Sequence, residues 1–134
     1  MKKVLAIMCL GAFLLGGCKR ETKDERFKRE YEQFTRKECP KEVASCIRMD
    51  SICYDIESRT LTEYYTFTGN LDTDSFYTEK VVDEYRKGLL KELKGSLQMK
   101  PQKDEGINFS YKYHSDTTGK LLFEMAFTPE DYSN

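Results

Sequence analysis

The strongest constraint on the fold is a period-two alternation of apolar and polar residues near the end of the chain. Apolar or aromatic residues occupy every second position of residues 107–114 and again of residues 121–128. The polar segment Asp116-Thr117-Thr118-Gly119 separates the two runs. Because successive side chains of a strand point to opposite faces, each run has one buried and one solvated face. The pattern predicts an antiparallel hairpin with His114 on its solvated face.

Two other stretches have the 3.6-residue spacing of amphipathic helices. Thr22 and Glu25 fit a capping box, and Pro40 disfavours helical backbone at the residue before it. We therefore expect a first helix from Thr22 to about Cys39. A second helix is expected over residues 75–98, because one of its faces is apolar and carries Val82, Tyr85, Leu89, Leu93 and Leu97.

Two more strands are expected between these helices. Residues 45–54 and 60–68 are rich in β-branched and aromatic residues, and Gly69-Asn70 ends the second of them. The resulting order is α-β-β-α-β-β. We therefore expect a single α+β domain over residues 22–134, with a four-stranded, mainly antiparallel sheet that two helices pack against on one face.

Composition excludes several classes of function. The chain has 134 residues, 22 of them basic and 23 acidic, and a net charge of −1. A nucleic-acid-binding protein would carry a basic excess, so nucleic acid is not an expected partner. The single histidine excludes a metal site built from several histidines. We expect no metal and no dissociable cofactor.

The first eighteen residues have the pattern of an export signal. Lys2 and Lys3 precede an uncharged apolar run, Val4–Leu15, that is too short to cross a bilayer as a helix. The run ends in Leu15-Gly16-Gly17-Cys18, with a large apolar residue, two small residues and a cysteine in order. This tetrapeptide resembles the lipobox of bacterial lipoproteins.

The resemblance implies a membrane anchor. Residues 1–17 would be cleaved, and Cys18 would carry a diacylglyceryl group and an N-acyl chain, which together anchor a protein stably. Residues 18–21 would form the lipidated terminus and a short tether. Lys19 follows the cysteine where inner-membrane lipoproteins of Gram-negative cells often have Asp, which favours the outer membrane if the host has two. The expected location is the cell envelope, and the membrane is the first partner.

Three further cysteines, Cys39, Cys46 and Cys53, are spaced seven residues apart. The envelope permits disulfides, and Cys39 lies where the chain can turn back, so a Cys39–Cys46 bond is the best-placed pair. The third thiol would be buried and inert, paired with another molecule, or reactive. The spacing lacks the close ligand pairs of a zinc site.

Tyrosines give one candidate binding surface. Tyr64 and Tyr65 are adjacent on a strand and point to opposite faces of the sheet. We expect Tyr54 and Tyr64 to share the uncovered face, where tyrosine brings apolar area and a polar hydroxyl to an interface. Exposed tyrosines are also common on strands without any such role.

These patterns predict a location more firmly than an activity. Residues 39–68 also resemble small bacterial envelope lipoproteins with P…(L/M)DS…YYT segments, whose function is uncharacterised. We expect a non-enzymatic envelope lipoprotein that binds another envelope protein. One alternative is a periplasmic inhibitor or immunity protein, which should carry a one-signed charged patch. The other is an enzyme that pairs His114 with a cysteine, and we expect no catalytic residues.

Overall fold

The computed structural model describes residues 19–133. The export signal and the lipidation site predicted at Cys18 lie outside this range. The elements are α1 (Lys23–Glu38), β1 (Lys41–Ala44), β2 (Ile47–Asp55), β3 (Thr60–Phe67), α2 (Glu79–Gly95), α3 (Lys100–Asp104), β4 (Asn108–Ser115), β5 (Leu121–Phe127) and α4 (Pro129–Tyr132). Two short 3-10 turns, Gly69–Leu71 and Asp74–Phe76, connect β3 to α2. The α+β class is as predicted.

The first helix begins and ends where its sequence signals predict. The Thr22 side chain accepts from the Glu25 backbone N–H at 3.1 Å, and the Glu25 carboxylate accepts from the Thr22 N–H at 2.8 Å. The capping box is therefore confirmed. Acidic residues occupy the first turn and basic residues the last, which complements the helix dipole.

The sheet has five strands in the order β1-β2-β3-β4-β5, so the prediction of four strands is wrong. The predicted order α-β-β-α-β-β is wrong as well, because β1, α3 and α4 were missed. All four residues of β1 are exposed, so no alternation of burial marks it as a strand. Each of the short helices α3 and α4 has a proline in its first turn. In the sequence these prolines indicate only that a preceding element ends.

Three of the four strand pairings are antiparallel, but β3 and β4 pair in parallel over eight residues. A parallel pair needs a crossover between its strands, and residues 68–107, which contain α2 and α3, provide it. The crossover returns the chain across the sheet and places α2 against one face.

Both long helices pack on the same face of the sheet. The Phe27 ring of α1 meets Tyr54 of β2 edge-on at 5.7 Å between ring centroids. The Tyr85 ring of α2 lies 5.6 Å from Phe123 of β5 and 6.5 Å from Phe67 of β3. The core between these elements is unusually aromatic, and its fully buried side chains are Phe27, Phe67, Phe109, Phe127, Leu61 and Ile107.

The second long helix, α2, is shorter than the predicted helix over residues 75–98. α2 ends at Gly95, and Leu97 beyond it is 84% exposed whereas Leu93 inside the helix is buried. Within residues 19–133, no helix combines the length and the apolarity that crossing a membrane requires.

Candidate functional site

The cysteines do not form the predicted bond. Cys39, Cys46 and Cys53 are all free thiols, the first two half-buried and the third exposed. Cys39 precedes β1 and Cys46 follows it, and four extended residues alone span about 13 Å at roughly 3.3 Å each. Disulfides need Cα atoms within about 7 Å. The Cys39–Cys46 prediction failed because the chain continues as a strand after Cys39.

Tyr54 and Tyr64 lie on opposite faces, so the predicted shared surface is not formed. Tyr54 is opposite the buried Leu61, is only 4% exposed, and donates a hydrogen bond to the Asp24 carboxylate at 2.6 Å. Burial, followed by that bond to a carboxylate, raises the pKa of Tyr54 to about 12. Tyr64 is on the open face, where its ring stacks on His114 at 6.5 Å.

His114 lies on the open face, as predicted. Within the part of the chain that the structure describes, no hydrogen bond links His114 to a cysteine. Residues 19–133 also contain no cluster of three or more His, Cys, Asp or Glu side chains able to hold a metal ion. The pairing of His114 with a cysteine that the enzyme alternative requires is therefore not seen among the described residues.

A groove of about 490 Å³ lies between α2 and the sheet, on the helix-covered side. Its walls come from four strands and one helix, and only two of its ten lining residues are charged. They are Val43, Ile47, Tyr65, Phe67, Glu84, Tyr85, Gly88, Leu89, Glu92 and Tyr113. The volume lies within the usual range of protein binding pockets, which are also mostly apolar. We call this feature the α2 groove.

Gly88 contributes to the openness of the α2 groove. A β-carbon built at this position would have no atom within 4 Å. Glycine costs about 1 kcal/mol relative to alanine inside a helix. Nothing in the described structure requires glycine there for backbone conformation or close packing, so its effect is to leave space where a side chain would line the groove.

The charged residues of the α2 groove are both acidic. Glu84 forms an ion pair with Lys87 at 3.2 Å, whereas Glu92 has no ion-pair partner among residues 19–133. No lysine or arginine lines the groove. The charged residues in its lining are therefore acidic, and the other lining residues are mostly aromatic or aliphatic.

A second cavity, of about 170 Å³, adjoins the α2 groove and shares Tyr65, Leu89 and Glu92 with it. Glu63 lines this second cavity and is only 8% exposed. We call it the Glu63 cavity. Its other walls are Leu93, Ser96, Met99 and Tyr111.

Glu63 is a buried carboxylate with a single hydrogen bond. The Tyr65 hydroxyl donates to its Oε2 at 2.5 Å, and no basic side chain among the described residues pairs with it. Burial raises the pKa of Glu63, while the bond from Tyr65 opposes that rise. Burial, with a further contribution from the Glu63 charge, also raises the pKa of the surrounding tyrosines Tyr31, Tyr65, Tyr111 and Tyr113.

Sequence reasoning missed both cavities, although one signal for Glu63 was present. Residues 61, 63, 65 and 67 alternate on one face of β3, and three of them are Leu, Tyr and Phe. A glutamate in such a series is a charge on the core face of a strand. The α2 groove has no comparable signal, because its walls come from segments distant in the sequence.

The fold and the α2 groove define a small α+β domain with one helix-covered sheet face and an open apolar groove beside its second long helix. The family model described as a domain of unknown function, DUF8479, matches residues 22–123. The chain belongs to this family. No curated protein matches it in sequence.

Three solved structures share the fold. A candidate secreted protein of Pseudomonas aeruginosa, PA3611, superposes with a TM-score of 0.63 at 12% identity, over 81% of this chain and 95% of that one. EpsS, a pilotin of the Vibrio vulnificus type 2 secretion system, gives 0.62 at 13% identity, over 84% and 94%. AspS, the type II secretion system pilotin of Vibrio cholerae, gives 0.55 at 12% identity, over 78% and 86%.

The Glu63→Gln variant tests the electrostatic character of the second cavity. A raised folded-state pKa means that the folded protein holds a proton that the unfolded chain releases above about pH 4.3. The burial of Glu63 therefore costs stability increasingly as pH rises through its folded pKa. We expect Glu63→Gln to raise the melting temperature at pH 7.5 by a few degrees, roughly the effect of 1 kcal/mol in a domain of this size.

The difference between variant and wild type should shrink toward zero as pH falls to about 4, since Glu63 is then neutral in both states. Calorimetric melting temperatures between pH 4 and 8 measure it, and Glu57→Gln in the exposed β2–β3 turn is the matched control. A difference that is the same at every pH would contradict the assignment.

Proposed function

We propose that the protein is a lipid-anchored, non-enzymatic protein of the cell envelope whose α2 groove binds an apolar segment of another envelope protein. The observation that carries this proposal is the α2 groove itself. Ten residues line this groove, and they come from β1, β2, β3, β4 and α2. Most of them are apolar or aromatic, so the groove exposes a largely apolar surface. Burying apolar surface stabilises a complex by about 25 cal/mol for each Å² removed from water, so such a surface favours an apolar occupant.

The two acidic residues of the α2 groove narrow the choice of occupant. Glu84 and Glu92 are the charged residues that line the groove, and both are negative. An acidic segment would be repelled, whereas an apolar segment flanked by basic residues would be attracted. A protein segment of this composition is the occupant that we propose.

The structural neighbours support an envelope role. Two of them are pilotins of type II secretion systems and the third is a candidate secreted protein. At 12–13% identity the shared property is the fold. Together with the lipobox-like Leu15-Gly16-Gly17-Cys18, they favour an outward-facing lipoprotein, at the outer membrane where the host has one.

The start of the domain suits a short membrane tether. Glu21 accepts two hydrogen bonds from Arg29, at 2.6 and 3.0 Å, and Lys23 forms an ion pair with Glu105 at 2.5 Å. Asp24 accepts a hydrogen bond from the Tyr54 hydroxyl, and this bond connects the first turn of α1 to the sheet. A lipid on Cys18 would thus lie only a few residues from a fixed helix, so we propose that the domain is held close to the bilayer.

The anchor is tested by Cys18→Ala. Metabolic labelling with a palmitate analogue should mark the wild-type chain and leave the variant unlabelled, because Cys18 is the proposed acceptor of the acyl chains. Cys53→Ala, which removes an exposed thiol of the folded domain, should keep its label. Label that persists in Cys18→Ala would refute the lipid anchor.

The groove is tested by a pair of glycine variants in one helix. Gly88 lines the α2 groove, and Gly95 in the same helix lies outside it. An added β-carbon is free of contacts at either position. Gly88→Leu should stabilise α2 by about 0.5–1 kcal/mol because Gly88 lies inside the helix, and Gly95→Leu should stabilise it less because Gly95 is its last residue. Only Gly88→Leu places a side chain in the groove.

In crosslinking pull-downs from intact membranes, wild type and Gly95→Leu should recover the same partner, and Gly88→Leu should lose it by tenfold or more. Circular dichroism melts of the three proteins verify that each is folded. Equal recovery with Gly88→Leu and Gly95→Leu would sink the proposal that the groove is the docking site.

A further inference from the structure

We propose that Glu63 is the specificity-determining residue of the groove and that it receives the cationic head group of one lysine or arginine side chain of the bound segment. This inference rests on the proposed docking function of the α2 groove and adds to it the chemistry of one required partner residue. The Glu63 cavity is the place where that side chain ends.

The first support is an unused acceptor. Oε2 of Glu63 accepts a hydrogen bond from the Tyr65 hydroxyl, and this is the one side-chain hydrogen bond of Glu63 within the described part of the chain. The residue is more than nine-tenths buried, yet it lines a cavity of about 170 Å³. That volume is several times the roughly 30 Å³ that a water molecule occupies in the liquid. Glu63, with one carboxylate oxygen hydrogen-bonded to Tyr65 and the other without a hydrogen bond among the described residues, therefore lines a space large enough for a ligand group.

The second support is the energetic cost of the arrangement. Buried carboxylates in folded proteins are normally paired with a basic group or satisfied by several donors. Glu63 has one donor, a neutral hydroxyl, and no basic side chain in the described structure lines its cavity. A cationic group entering from outside would supply the missing partner by a charge-assisted hydrogen bond, which is stronger than a neutral one.

The third support is the set of groups that face the cavity from each packed element. From the sheet, β3 presents Glu63 and Tyr65 and β4 presents Tyr111. From the side of the helix, α2 presents Glu92 and Leu93, and the segment after α2 presents Ser96 and Met99. The titratable groups are two carboxylates and two phenols. Carboxylates together with aromatic walls favour a cation over an anion or a neutral polar group.

The fourth support is continuity. Tyr65, Leu89 and Glu92 border both the α2 groove and the Glu63 cavity, so the two spaces adjoin along a shared wall. A segment with apolar side chains in the groove could therefore extend one long side chain toward Glu63. Lysine and arginine have the apolar stem and charged head that such a path requires. We commit to a basic side chain of a bound protein segment as the occupant.

A selection from random peptides tests this chemistry directly, because it does not require the partner to be identified first. The full-length chain, purified in detergent, is used to select a phage-displayed library of random 12-residue peptides, with counter-selection on Gly88→Leu. We expect enriched peptides to share apolar residues and one Lys or Arg at a fixed distance from them. The best peptide is then synthesised with that basic residue and with Gln in its place.

Fluorescence anisotropy of both peptides against wild type and Glu63→Gln completes a double-mutant cycle. Replacing the basic residue should weaken binding to wild type about tenfold or more and change binding to Glu63→Gln little. Glu57→Gln, in an exposed turn, should behave as wild type.

Two outcomes would overturn the role of Glu63 without contradicting the docking function of the groove. They are additive losses of affinity in the cycle and enriched peptides without a fixed basic residue. Failure to enrich any peptide over Gly88→Leu would overturn the groove function, and the inference with it.

Discussion

The parallel pairing of β3 with β4 determines where the second long helix and the two cavities beside it lie. Eight residues of each strand are in register, from Thr60 opposite Asn108 to Phe67 opposite Ser115. Because parallel neighbours cannot be joined by a tight turn, the chain must cross over between them. The crossover carries α2 over the aromatic face and leaves a gap between that helix and the β1–β2 edge. The α2 groove is that gap.

The same pairing creates the unusual environment of Glu63. On β3 the side chains that face the helices are Leu61, Glu63, Tyr65 and Phe67, with Tyr111 opposite Glu63 on β4. A carboxylate at the centre of such a face costs stability in the free protein, because desolvation favours its neutral form. A residue that destabilises the free protein is expected at a functional site, where binding of a ligand offsets the destabilisation. On this view the apolar groove gives affinity and Glu63 gives selectivity.

Local patterns predicted the local elements of this fold well. The alternation in residues 107–128 gave β4 and β5, and the Thr22–Glu25 capping box gave the start of α1, because both depend on residues close in sequence. The α+β class followed from these elements. The exposed strand β1 has no alternation, so the edge of the sheet could not be found in this way.

Long-range relations were the part that local patterns could not supply. The face on which Tyr54 lies depends on its register with Leu61, and an irregularity in the pairing between Met49 and Ser51 shifts the phase of β2. A shift of one residue moves a side chain to the opposite face. The α2 groove depends on five elements at once. Glu63 alone was accessible from the sequence, as a charge in an otherwise apolar alternation.

The central claim is that the α2 groove holds a segment of another envelope protein. The most direct measurement is site-specific photocrosslinking in intact cells, with a photoreactive amino acid at position 88 in the groove or at position 95 outside it. A β-carbon added at either position has no atom within 4 Å. We predict that position 88 crosslinks to one envelope protein through an apolar segment with an adjacent basic residue, and that position 95 does not. Crosslinking that is equal at the two positions, or absent at position 88, would contradict this claim.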